Sequence, residues 1–321
     1  MNEQKPLVIM PCLDMINGRV VKGVNFVDIK DAGDPVACCR AYCEAGADEL
    51  AMLDITATVE GRKTLLETVR KVADAVTVPF TMGGGISSVK AAEEVLAAGA
   101  DKVSTSSAVF RQPEMIGELV KAFGAEKVTV AIDVAQNAAM PSGYEVFIDG
   151  GRTATGTDAI EWAKRVDGFG VRTILPTSKS TDGVRTGYDL PLIRRMREIT
   201  DADIVASGGA GTLEHFAEAA EAGATVLLAA SVFHFHVIGI PELKAFLKAR
   251  GFAVQICGYV GHNCSLFLCW SGGSFTKDYS KSRADCKGLM HKKFVKNNKI
   301  FREIPKNDLI FIDFPCYNGE K

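Results

Sequence analysis

Asp14 and Asp133 follow short apolar runs, Leu7-Val-Ile-Met-Pro-Cys-Leu13 and Val128-Thr-Val-Ala-Ile132. A carboxyl that ends a buried strand faces the open end of a sheet. Two such groups facing each other can act as general base and general acid if their surroundings separate their pKa values. For a lone aspartate, a helix cap or an ion pair is the ordinary alternative. Here the two acids belong to a repeat. Cys12-Leu-Asp14 resembles Ala131-Ile-Asp133, and Phe80-Thr-Met-Gly-Gly-Gly-Ile86 resembles Val205-Ala-Ser-Gly-Gly-Ala-Gly211. Gly99-Ala-Asp-Lys-Val-Ser-Thr-Ser-Ser-Ala-Val-Phe110 resembles Gly223-Ala-Thr-Val-Leu-Leu-Ala-Ala-Ser-Val-Phe233. Gly84 to Ser107 and Gly208 to Ser231 both span 23 positions. Three matches in one order indicate two related halves with the same furniture.

Each half offers a glycine turn, Gly84-Gly85 or Gly208-Gly209, and a serine-bearing turn, Ser106-Ser107 or Ala230-Ser231. Glycine lets backbone approach a ligand closely, and exposed N–H groups at a helix start attract phosphate. Two such cradles suit a long ligand with a phosphate at each end. Tight strand–helix turns are the plainer reading of the same glycines. Lys22, eight residues after Asp14, can neutralise a phosphate or remain a solvated lysine. Asp182, before Gly183, fits either a hydrogen bond to substrate hydroxyls or an Asp-Gly turn. Asp54 has no repeat partner and reads as a cap. His234 and His236 read as structural, with no third ligand nearby, so no metal is expected. Cys12 reads as a buried small residue rather than a nucleophile.

These residues must be held by regular elements. Apolar runs at 7–13, 50–53, 78–82, 101–104, 128–132, 172–175, 203–206 and 225–228 read as strands. Helical patterns at 36–45, 63–75, 89–98, 113–123, 159–166, 191–199, 213–222 and 241–250 alternate with them. Continuous apolar strands with helical crossovers mean a parallel sheet covered by helices. Eight units in this length favour an α/β fold of the (β/α)8 TIM-barrel type, built from two half-barrel repeats. An open doubly wound sheet is the alternative.

Composition is that of a globular chain: 47% hydrophobic, 24% charged and a net charge of -2. That balance excludes a nucleic-acid-binding character for the whole, and no run is long enough for a membrane span. No secretory signal is read at the start, so the cysteines are expected as thiols in a cytoplasmic protein. The averages hide a break. Residues 1–256 hold 26 Lys+Arg against 33 Asp+Glu, whereas residues 257–321 hold 11 against 6 and five of the nine cysteines. The expected division is a barrel over 1–256 and a Cys-rich basic extension over 257–321.

Beyond these readings, the chain resembles the cyclase subunits of imidazole glycerol phosphate synthase, from histidine biosynthesis. The resemblance rests on Pro11-Cys-Leu-Asp-Met-Ile-Asn-Gly-Arg-Val-Val-Lys-Gly23, Leu53-Asp-Ile-Thr-Ala57, Gly83-Gly-Gly-Ile86, Gly187-Tyr-Asp189 and Ala206-Ser-Gly-Gly-Ala-Gly211. It covers about residues 6–255. It implies condensation of ammonia with a phosphoribulosyl formimino carboxamide ribonucleotide, giving imidazole glycerol phosphate and aminoimidazole carboxamide ribotide. By motif, Asp14 matches the family's general base, Asp133 its general acid and Lys22 a mobile-loop lysine. Thr177, Asp182 and Ser207 match positions lining the substrate. No cofactor is implied. A glutaminase subunit, forming a heterodimer, would supply ammonia through the barrel core.

Three departures stand out. The family's ring of four charges at the ammonia entrance reads Val8, Glu49, Lys102 and Thr173 here. The loop that commonly ends Asp-Gly-Thr-Lys reads Asp182-Gly-Val-Arg185, and Ser106 replaces a usual asparagine. They keep two alternatives open: a same-fold bisphosphate isomerase or amidotransferase-coupled relative, and a non-catalytic glutaminase-binding scaffold.

Overall fold

The structure, a computed structural model, describes residues 5–24, 27–57 and 65–255 and two short strands further on; for 22–24 and 27–30 it describes backbone alone. The first half runs β1 (Val8–Ile16), β2 (Arg19–Val24), β3 (Val27–Gly33), α1 (Pro35–Glu44), β4 (Leu50–Asp54), α2 (Leu66–Ala75), β5 (Phe80–Gly83), α3 (Val89–Ala97), β6 (Lys102–Thr105), α4 (Ser107–Arg111) and α5 (Glu114–Phe123). The second runs β7 (Val128–Gln136), β8 (Tyr144–Ile148), β9 (Thr153–Asp158), α6 (Ala159–Gly168), β10 (Thr173–Ser178), α7 (Leu190–Arg197), β11 (Asp203–Ala206), α8 (Leu213–Glu221), β12 (Val226–Ala229), α9 (Ser231–His234) and α10 (Ile240–Ala249).

Eight of these strands pair in parallel around a closed ring, in the order β1, β4, β5, β6, β7, β10, β11, β12 and back to β1. This is the expected (β/α)8 barrel, and the open sheet is excluded. Side chains alternate along each strand. Ile9, Leu13 and Met15 join the layer between barrel and helices. Met10 and Cys12 join a separate cluster inside the ring with Ala51, Leu175, Val205, Val226 and Leu228.

The expected strand ends need correction. β1 runs past Leu13 to Ile16 and folds back antiparallel onto β2, which pairs with β3. β7 likewise runs to Gln136 and folds back onto β8 and β9. The two aspartates therefore lie inside long strands, where barrel pairing gives way to a hairpin. Local sequence explains the tight turns between β1 and β2 and between β8 and β9. Asn17-Gly18 has φ of +50° and +75° between directly paired strands, the conformation that two-residue hairpin loops demand. Asp149-Gly150-Gly151 has φ of +58°, +64° and +74°. Each meander then enters a helix through an aspartate cap. Asp34 accepts from the Ala37 N–H, and Asp158 from those of Ile160 and Glu161.

Helix α10 closes the ring at its N-terminal end. Lys244 Nζ lies 2.6 Å from Asp48 Oδ1, with side chains only 4% and 7% exposed. Asp48 Oδ2 also accepts from the Ile9 N–H at 2.9 Å, at the start of β1. Burial pushes the Asp48 carboxyl above its ordinary pKa, opposed by Lys244 and the Ile9 N–H.

The chain divides into two compact units, 1–267 and 268–321. In the second, Cys269–Ser271 (β13) pairs antiparallel with Ser274–Thr276 (β14). The expected boundary after residue 256 lies outside the described residues.

Removing one partner of a buried ion pair leaves the other charge stranded, at a cost of about 3 kcal/mol. Lys244→Met is expected to lower stability by that order in urea titrations. The Asp48→Asn, Lys244→Met double variant should lose clearly less than the two single losses combined. Purely additive losses would mean that the pair is not coupled.

Candidate active site at the barrel mouth

The C-terminal ends of the ring strands surround a cavity of about 680 Å³, a size suited to an elongated metabolite. Asp14 and Asp133 both line it, from β1 and β7, which lie four strands apart in the ring of eight. Asp14 Oδ1 lies 3.6 Å from the buried Cys12 Sγ, within reach of a thiol hydrogen bond. Asp133 is paired in register with Thr177 on one side and Phe147 on the other. Burial raises its carboxyl pKa from an ordinary 3.8 to about 6; the nearby Asp182 charge adds to the rise and Lys179 opposes it. Lys179 is positioned by the second hairpin: its Nζ donates to the Gly151 carbonyl and sits 3.8 Å from the centre of the Phe147 ring.

The first cradle follows β5 and β6. Gly84 and Gly85 have φ of +96° and +71°. A Cβ on Gly84 would stand 2.2 Å from the Asp54 carbonyl oxygen, so only glycine fits. Asp54 caps a turn rather than a helix, its Oδ1 accepting from the Ala57 N–H at 3.1 Å, and it borders the cavity. Ser106 precedes the first turn of α4, and Ser107 Oγ accepts from the Asp149 N–H at 2.8 Å.

The second cradle repeats the first. Gly208 and Gly209 have φ of +84° and +112°, and a Cβ on Gly209 would stand 2.0 Å from the Gly187 carbonyl oxygen. Ala230 precedes the first turn of α9, which begins at Ser231. Thr177 Oγ1 donates to Ser207 Oγ at 3.2 Å, tying β10 to the start of this turn. Asp182 and Gly183 line the cavity, while the Asp182 N–H donates to Ser178 O and Gly183 has φ of +75°. The pair makes the expected turn, and that turn faces the mouth.

Lys22 stands on β2, opposite Lys30 of β3; its side chain lies outside the described residues. The segment expected as a loop is thus a hairpin strand. Glu49 and Lys102 lie at the other end of the ring, Lys102 Nζ standing 2.8 Å from both Glu49 oxygens. His234 Nδ1 and Tyr42 Oη share a long hydrogen bond of 3.5 Å.

Among the cations that line the mouth, Arg111, Lys179 and Arg185 had no role assigned from the sequence. The tip of the β8–β9 hairpin, Gly150 to Arg152, also reaches the cavity. Asp149-Gly150-Gly151 between two β-prone runs was the available signal for it.

A (β/α)8 barrel whose mouth is a cavity lined by two carboxylates and two glycine-rich turns is the architecture of a metabolic enzyme. Comparison narrows the class. The family model described as histidine biosynthesis protein matches residues 8–239. A protein of Exiguobacterium sibiricum is 49% identical over 247 residues, covering 77% of this chain and 98% of its own length. One of Thermobifida fusca is 47% identical over 250 residues, with 77% and 98% covered. One of Pyrobaculum aerophilum is 49% identical over 252 residues, with 78% and 98% covered. All three are named imidazole glycerol phosphate synthase subunit HisF. The chain belongs to this histidine biosynthesis family.

The environment of Asp133 is directly measurable. Its carboxyl carbon, followed by NMR, is expected to titrate with a midpoint of about 6. Asp182→Asn removes a like charge and should move the midpoint down; Lys179→Met removes an opposing cation and should move it up. A wild-type midpoint in the ordinary carboxylate range would refute the burial argument.

Proposed function

We propose that this chain is the cyclase subunit of an imidazole glycerol phosphate synthase, working in the cytoplasm with a glutaminase subunit. It condenses ammonia with the phosphoribulosyl formimino carboxamide ribonucleotide. Imidazole glycerol phosphate and aminoimidazole carboxamide ribotide leave, together with one water. The observation that carries this is the pair of facing aspartates between two phosphate cradles, on a barrel nearly half identical to proteins of that name. The isomerase alternative has no such support: all three relatives carry the synthase name.

The chemistry needs both acids. A ring built from ammonia, a carbonyl carbon and a formimino carbon must shed protons from nitrogen. It must also expel the carbonyl oxygen and the departing amine in protonated form. Asp14 is assigned as the base and Asp133 as the acid; a pKa of about 6 suits a carboxyl that must deliver a proton near neutrality. The cradles at Gly84-Gly85 with Ser106-Ser107, and at Gly208-Gly209 with Ala230-Ser231, are assigned to the two phosphates. Lys22 is assigned to the substrate as an additional cation. Thr177, Asp182, Gly183 and Ser207 are assigned to the polar stretch between the phosphates.

Ammonia is assigned the opposite end. Glu49 and Lys102 form the entrance, and Val8 and Thr173 leave it with a single ion pair. Inside the ring, Thr129 is in register with Ser104 on β6 and Thr173 on β10, a row of buried hydroxyls on one wall. Thr129 Oγ1 has no hydrogen-bond partner among the described residues. A small hydrogen-bonding molecule passing along this wall would find partners there.

The test is turnover of the formimino ribonucleotide with ammonium salt by the purified chain. Asp14→Asn and Asp133→Asn are each expected to reduce kcat by about a hundredfold or more. At constant free ammonia, kcat/KM should fall as pH rises through the pKa of Asp133, because the acid form is lost. Asp182→Asn should move that limb to lower pH. Full activity in either asparagine variant would remove the acid–base assignment.

A further inference from the structure

We infer that Arg185 makes the two phosphate cradles unequal, by gripping the phosphate held at Ser231. The inference rests on the phosphate reading above and deepens it.

Both cradles have an arginine beside the opening serine turn, but the two are committed differently. Arg111 ends α4, and its Nη2 lies 2.7 and 2.8 Å from the two oxygens of Asp149. Its charge is matched before any ligand arrives. Arg185 stands in the loop between β10 and α7, where its Nε donates to Ser231 Oγ at 3.2 Å. Among the described residues no carboxylate pairs with it. The Nε bond uses one of five donors, so the two terminal nitrogens stay available for a ligand in the cavity they border.

The residue is held, not merely nearby. Its backbone takes φ of +62°, which a residue with a side chain seldom adopts. Neighbouring chain packs closely against it: a Cβ on Gly211 would stand 2.1 Å from the Arg185 carbonyl oxygen. The guanidinium also lies 5.9 Å from the centre of the Phe235 ring, which limits its swing. Asp182, on the same loop, is the acid that also faces the second cradle, with its Cβ near Gly208.

Arginine matters here as a planar fork. A lysine, as the Asp-Gly-Thr-Lys pattern would supply, brings one point charge. Arginine can keep one arm on Ser231 and offer two parallel N–H groups to two phosphate oxygens. The cradle at Ser231 therefore has a fork bonded to its own serine, whereas at the other rim Arg111 and Arg152 both act on Asp149.

The test uses inorganic phosphate as the probe and amide NMR as the readout. The Gly209 and Ser231 signals report one cradle, and those of Gly85 and Ser107 the other. In the wild type, the first pair should respond at lower phosphate than the second. Arg185→Ala should raise the midpoint for Gly209 and Ser231 by about tenfold to a hundredfold, the loss expected for charge-assisted hydrogen bonds. The other pair should be unmoved, and Arg185→Lys should fall between. With the nucleotide substrate, Arg185→Ala should raise KM by a similar factor and change kcat little. A wild-type midpoint retained in Arg185→Ala, with the spectrum showing an intact fold, would overturn the inference while leaving the cradles standing. If neither cradle of the wild type responds to phosphate, the phosphate reading itself fails and this inference falls with it.

Discussion

The mouth depends on the hydrogen bonds that close the ring, between β10 and β7 and between β12 and β1. An open sheet would carry Asp14 and Asp133 on one long edge, several strands apart. Closure brings them across a single cavity and sets both glycine pairs around the same rim. It also fixes which side chains face inward, since alternation along a strand leaves no choice once register is set. Cys12 and Asp14 point into the ring because Leu13 and Met15 pack against helices. The site therefore follows from packing on the far side of each strand, where apolar burial supplies most of the stabilisation.

Duplication gives the two halves the same skeleton, but their charges differ. Each half has a long first strand, an antiparallel meander and an aspartate-capped helix. Each then has a glycine turn and a short helix opened by serine. On this shared frame the second half concentrates its special chemistry. Asp133 has Asp182 and Lys179 as charged neighbours, a like charge and an opposite one, and their difference tunes a carboxyl that burial has already shifted. The tuning groups come from the β10–α7 loop, with the β8–β9 hairpin holding Lys179 in place. Asp133 thus sits in a setting where a carboxyl can hold a proton near neutrality, as an acid must.

The barrel, its eight longer helices and the paired glycine and serine turns were legible because they rest on signals within one element. Continuous apolar runs, Pro and Asp at helix starts, and glycines at fixed offsets are all local. The hairpins were not read, although Asn17-Gly18 and Asp149-Gly150-Gly151 are strong turn signals. Each apolar run breaks at its aspartate, but buried, parallel-paired positions continue past it, Met15 in β1 and Val134 in β7. Arg111 and Arg185 were invisible for another reason. Whether an arginine is matched by a carboxylate depends on what the fold brings beside it. Asp149 lies 38 positions from Arg111, and Ser231 lies 46 from Arg185. The ion pair of Glu49 and Lys102 was readable only as a match to a family pattern, and its geometry needed the closed ring.

The inside of the ring shows what such a site costs. One sector is apolar: Met10, Val205, Val226 and Leu228 interdigitate with Leu175. The sector of β6, β7 and β10 instead carries Ser104, Thr129 and Thr173, all buried. A buried hydroxyl without a partner costs roughly 1–3 kcal/mol, and the β-branched apolar residue of the same shape, valine, would avoid that cost at Thr129. Stability alone therefore argues against Thr129, and so does the general rarity of unpaired buried polar atoms. A wall that must accept a small polar molecule in transit argues for it. A valine there would remove the middle hydroxyl of the row that Ser104, Thr129 and Thr173 form. On the proposed reading the same constraint serves both ends of the barrel: closure excludes bulk water from the lumen, and the hydroxyl row keeps it passable for ammonia.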